Sequence, residues 1–162
     1  MNTNYEPRLG IDIGRVIIGG AGADTQFFQG EARAMATPAV AGALPAVAEL
    51  VRRFAGKVWL VSKCGPSVEA RTRRWLDAHA FFTVTGLARD RLRFCRERRD
   101  KADHARALQL THFIDDRLDV LGFLDGIVPH RFLFGPQSQP VPPRPSLTPV
   151  PDWKALLDRL KL

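Results

Sequence analysis

A chain of 162 residues is most economically one domain with a two- or three-layer core. Its 24 Lys and Arg outweigh 17 Asp and Glu to give a net charge of +7, which raises the question of a polyanionic partner. No stretch of about 18 apolar residues exists to span a membrane, and Asn2 to Glu6 does not read as a signal peptide. A cytoplasmic protein is expected. Cys64 and Cys95 lack CxxC spacing, so two reduced thiols are expected rather than a disulfide framework or a metal site.

In chain order, Leu9 to Ile13 is an apolar strand that delivers Asp12, followed by Val16-Ile17-Ile18 and the small-residue stretch Gly19 to Ala23. That stretch lacks the GxxxxGK[ST] pattern and reads as a flexible flap, not a phosphate-cradling loop. Val40, Leu44, Val47, Val51 and Phe54 recur at helical spacing up to Gly56, a capping position. Val58 to Val61 is a second strand, and Pro66-Ser67 opens a helix with Val68, Thr72, Trp75 and Leu76 on one face. Phe81 to Val84 reads as a third strand.

A basic segment, Arg89 to Arg106, carries eight Lys and Arg against four acidic residues. With no recognition motif and no interleaved aromatics it reads as a solvated basic face, and nucleic acid is weakly supported as a partner. Lys101 to Leu108 is helical and feeds a fourth strand at Phe113-Ile114, which ends in Asp115-Asp116. A short helix over Leu118, Leu121 and Leu124 precedes a fifth strand, Arg131 to Phe134. A Pro-rich strap and a helix bearing Trp153, Leu156, Leu157 and Leu160 complete the chain.

The alternation of strands and helices predicts an α/β three-layer sandwich, with a central parallel five-stranded Rossmann-like sheet and right-handed crossovers. Residues 1–135 form its core domain, and residues 136–162 pack on that core as strap and helix. In such sheets ligands bind beyond the carboxyl ends of the strands. Asp12, Ser62, Asp115 and Asp116 all fall there. An apolar strand ending in a carboxylate is costly unless the charge is paired or binds a metal. Three such groups suit a hard divalent cation, Mg2+ above all.

These residues, in this order, resemble the haloacid dehalogenase superfamily over roughly residues 8 to 134. Asp12 to Val16 matches its first motif, Ser62 the second, Lys101 the third and Asp115-Asp116 the fourth. The resemblance implies a Mg2+-dependent phosphatase in which Asp12 becomes an aspartyl-phosphate. Ser62, Lys63, Lys101 and Arg15 would hold the phosphoryl group, and Asp12, the Gly14 carbonyl, Asp115 and Asp116 would hold the metal. Asp119, a turn further on, is a weaker outer contributor.

One position departs from the pattern. Phosphatases of this superfamily carry an Asp two residues after the nucleophile to protonate the leaving group, and here that position is Gly14. General acid catalysis contributes about 100 to 10,000-fold, so alkyl phosphate esters are expected to be poor substrates. A substrate with a good leaving group, such as an acyl phosphate or aryl ester, a proton from His112 or from the substrate, and a non-catalytic phosphate- or metal-binding role are the alternatives. The doubled Asp speaks against dehalogenation, which needs no metal. With no room for a cap domain, the site is expected to be open unless another subunit covers it, and a polynucleotide or nucleotide phosphatase is the second functional reading.

Overall fold

The computed structural model describes residues 5–19 and 27–162. Six strands form one sheet: β1 (Leu9–Ile11), β2 (Val58–Lys63), β3 (Leu92–Cys95), β4 (His112–Asp115), β5 (His130–Phe134) and β6 (Leu147–Val150). Their order is β3-β2-β1-β4-β5-β6, and every neighbouring pair is parallel. The helices are α1 (Glu31–Ala36), α2 (Ala43–Arg53), α3 (Pro66–Ala78), α4 (Phe81–Thr85), α5 (Lys101–Ala107), α6 (Leu118–Phe123) and α7 (Trp153–Arg159). None of the described helices is long and apolar enough to cross a membrane.

The central strands read as unbroken apolar runs because both of their faces are covered. Successive side chains on a strand point to opposite faces. Accordingly Val58 and Leu60 of β2 enter one core with α2, α3, α4 and α7, whereas Trp59 and Val61 enter the other with α5 and α6. β4 and β5 divide in the same way, with Ile114, Phe132 and Phe134 on the first face and Phe113 and Leu133 on the second. The result is the expected three-layer sandwich.

Three local expectations change. Phe81 to Val84 is helical: α4 lies between Ala80 and Gly86, both in left-handed conformation, Thr85 Oγ1 donates to the Phe81 carbonyl, and Phe81 is fully buried. Its aromatic and β-branched residues suit a strand, but packing overrides that preference. The third strand instead lies inside the basic segment, as β3 on one sheet edge. The Pro-rich strap supplies a sixth strand, β6, on the other edge, where Pro149 is tolerated because its missing N–H faces no further strand. Residues 20–23 of the small-residue stretch, like residues 1–4, lie outside the described residues.

Two contacts fix the segment that follows β1. The Asp12 N–H donates to the Ile114 carbonyl at 2.9 Å, which extends the β1–β4 pairing to the carboxylate itself. Beyond it the chain turns sharply: the Ile13 carbonyl accepts from the Ile17 and Ile18 N–H groups at 2.8 and 3.1 Å. Trp153 of α7, buried in the core, donates its indole N–H to the Val16 carbonyl at 2.9 Å.

Gly10 sits two residues before Asp12 on β1, between β2 and β4. A Cβ there would lie 2.6 Å from the Phe113 ring and 2.7 Å from Leu110, both of which are buried. Gly10→Ala is therefore expected to destabilise the fold by about 1–3 kcal/mol, the usual cost of overpacking. Urea unfolding checks this; an unchanged midpoint would show that the core yields freely.

Candidate active site

β1 and β4 are neighbours in the sheet although β2 and β3 intervene in sequence. The chain moves outward from β1 to β3 and then returns to β4 on the other side, so the strand order reverses between β1 and β4. Ligands in open α/β sheets bind at such a point. Asp12 lies just past the end of β1, and Asp115 closes β4.

The side chain that joins them is Lys101, the first residue of α5. Its ammonium donates to Asp12 Oδ1 at 2.9 Å and to Asp115 Oδ2 at 2.8 Å. Lys101 is 2% exposed and Asp115 is 0% exposed, so this is a buried three-centre pair. The opposite oxygen of Asp115 accepts the Arg117 N–H at 3.0 Å. Burial works against the Lys101 charge, but the charges of Asp12 and Asp115 and their hydrogen bonds outweigh it and hold the ammonium above its ordinary pKa.

The carboxylates remain in excess. Asp12, Asp115 and Asp116 bring oxygens within 4.8 Å of one another. Burial, and then the charges of Asp12 and Asp115, push Asp116 up to about 8. Asp115 is also displaced upward, by its complete burial and by Asp12, against the pull of Lys101. A cluster of oxygens whose ionised form is short of positive charge fits a hard cation such as Mg2+. Asp12 thus lies beside both Asp115, the last residue of β4, and Asp116, which follows it.

A cavity of about 280 Å³ opens in front of this cluster. Asp12, Gly14, Arg15, Ser62, Lys63, Lys101 and Asp116 all line it, so every residue expected to hold phosphate or metal directly, except Asp115, reaches the cavity wall. Arg15 has a left-handed backbone, with φ of 62°, in the turn after Asp12. A Cβ on Gly14 would meet nothing within 4 Å. Sequence reasoning missed Arg98, Arg117, Phe27 and Phe28, which also line the cavity. Arg117 follows the double Asp directly, and that adjacency was its available signal; Phe27 and Phe28 carry no spacing that marks them.

Three residues fall outside. Asp119 pairs with Arg117 at 3.0 Å and accepts the Val120 N–H in the first turn of its own helix at 2.8 Å. Cys64 is a buried free thiol. His112 begins β4, at the end of the strand opposite Asp115. It stacks on His130 and is pushed down to about 4, first by burial and then by His130. It lines a different cavity and is not placed to donate a proton beside Asp12.

No protein-family model matches the sequence, and no curated protein matches it. Among solved structures the chain is similar to a haloacid dehalogenase-like family hydrolase from Xanthomonas campestris, with a TM-score of 0.61 at 13% identity over 91% of each chain. The fold is therefore haloacid dehalogenase-like. The buried Asp cluster lies at the carboxyl ends of β1 and β4 within that fold.

The raised carboxyl groups have a measurable consequence. Their folded pKa values exceed the unfolded carboxylate value of about 4, so the folded state retains protons that the unfolded state releases. That contribution to stability is complete below about pH 4 and is lost as pH rises toward about 8, where Asp116 ionises. In chelator, the melting temperature is expected to fall across that range. Mg2+ should raise it, and by more at the alkaline end. A Mg2+ effect that is absent at every pH would contradict the cation site.

Proposed function

We propose that the protein is a Mg2+-dependent phosphohydrolase that works through an aspartyl-phosphate on Asp12. The observation that carries this reading is the Lys101 bridge between Asp12 and Asp115, with Asp116 facing the same cavity. A nucleophilic carboxylate needs an in-line approach to phosphorus and nearby positive charge for the oxygens it crowds. Asp12 has one oxygen held by Lys101, which orients the carboxylate toward the cavity it lines.

In this reading Ser62, Lys101 and Arg15 receive the oxygens of the transferred phosphoryl group, and Lys63 adds phosphate-binding charge on the same cavity wall. Asp12, Asp116 and the Gly14 carbonyl would hold the cation, and Asp115, which is spent on Lys101 and the Arg117 N–H, would back them with charge. When bound, Mg2+ supplies charge neutralisation on the phosphoryl oxygens. Attack by Asp12 breaks the bond to the leaving group. Water then attacks the aspartyl-phosphate phosphorus and restores the carboxylate.

We read the enzyme as capless and cytoplasmic. Among the described residues, the segment between β1 and α2 holds one six-residue helix, α1, and the segment between β2 and α5 holds α3, α4 and β3 with two single-turn 3-10 helices. The two free buried cysteines support a reducing compartment.

The absent acid makes the reading sharp. Gly14 lines the cavity and has space beside its Cα, so Gly14→Asp is expected to raise turnover of alkyl phosphate esters by about 100 to 10,000-fold. Asp12→Asn should abolish turnover of nitrophenyl phosphate. Steady-state kinetics with Mg2+ checks both; an Asp12→Asn variant as active as wild type would remove the proposed nucleophile.

A further inference from the structure

The cavity carries more positive charge than one phosphoryl group uses. Lys101 is occupied by Asp12 and Asp115. Four further cations line the wall: Arg15, which the transferred phosphoryl group takes, and Lys63, Arg98 and Arg117. Lys63, at the carboxyl end of β2, is exposed, and its side chain makes no ion pair or hydrogen bond with the described residues. Arg98 and Arg117 share one carboxylate, Asp119, at 3.9 and 3.0 Å. One acid for two guanidinium groups leaves net positive charge at the mouth.

Neither expected proton source stands beside this charge. Gly14 offers no proton, and His112 lies at the far end of β4. A leaving group must therefore depart as an anion. An alkoxide is a poor one, with a conjugate acid comparable to water at about 15.7. A phosphate oxygen is a good one, because its conjugate acid ionises near about 6, and it carries the charge that Lys63, Arg98 and Arg117 are placed to meet.

Resting on the phosphohydrolase reading above, we infer that the substrate is a phosphoanhydride, with the terminal phosphoryl group at Asp12 and the departing phosphate at Lys63, Arg98 and Arg117. An Asp12 oxygen forms a bond to the terminal phosphorus. The bond from that phosphorus to the bridging oxygen breaks, and its electron pair stays on the bridging oxygen, which leaves unprotonated as part of the product phosphate. Water then adds to the aspartyl-phosphate phosphorus and the phosphorus–Asp12 bond breaks, returning its electron pair to the carboxylate. One proton of that water stays on the new phosphate and the other passes to a phosphate oxygen. No external acid, oxidant or reductant is required.

The test compares kcat/KM of the full chain with Mg2+ on ADP, inorganic pyrophosphate, AMP, acetyl phosphate and nitrophenyl phosphate. ADP or pyrophosphate is expected to exceed AMP by about 100-fold or more, the span an absent acid opens. Gly14→Asp should narrow that gap. Lys63→Ala and Arg98→Ala should each lower the anhydride rate by about 10-fold, and by more than they lower the nitrophenyl phosphate rate. Turnover of nitrophenyl or acetyl phosphate that depends on Asp12, with neither anhydride exceeding AMP, would overturn the anhydride inference and leave the phosphohydrolase reading standing. Failure to turn over any of the five, or turnover indifferent to Asp12→Asn, would overturn both.

Discussion

A single ammonium group organises this molecule's site. Lys101 joins α5 to the ends of β1 and β4, and both carboxylates that it meets are buried. Removing one partner of a buried ion pair costs about 3–5 kcal/mol, because the other is left as an uncompensated charge. Elements that run in different directions through the fold are thus held to one geometry by an electrostatic requirement. Asp115 satisfies Lys101 and the Arg117 N–H, which leaves Asp12 and Asp116 to face the cavity.

That arrangement is supported from behind by packing. The β1–β4 pairing continues to the Asp12 N–H, and the turn after it is held by the Trp153 indole from α7. The C-terminal helix therefore reaches the loop that carries Gly14 and Arg15 without touching the cavity itself. A strand too crowded at Gly10 to accept a Cβ and a turn closed on the Ile13 carbonyl leave Asp12 little freedom. Such confinement is what a nucleophile needs to hold one angle of approach.

The parts legible in the sequence are those where physics forbids the ordinary explanation. Apolar strands that stop at Asp12 and at Asp115-Asp116 contradict core design, so they announce a site. Trp75 and Leu76 on α3 and Trp153 and Leu156 on α7 follow helical spacing into the core. What stayed hidden lay at the sheet edges and in competition between preferences. β3 is masked by Arg93 and the basic residues that flank it, because an edge strand exposes side chains that a central strand would not; Arg93 turns back to the Asp90 carbonyl. β6 is masked by Pro149, and α4 by a strand-like composition that its burial against α2 overrides. Arg98 was unreadable as a cavity residue because nothing local marks which members of a basic run turn inward.

The central claim is chemical: Asp12 takes the phosphoryl group. Acid quenching during turnover of nitrophenyl phosphate with Mg2+, followed by peptide mass spectrometry, tests it most directly. The account predicts a phosphoryl adduct on the peptide that contains Asp12, labile to hydroxylamine and missing in Asp12→Asn. Turnover with no adduct there, or with the adduct on another residue, would contradict it.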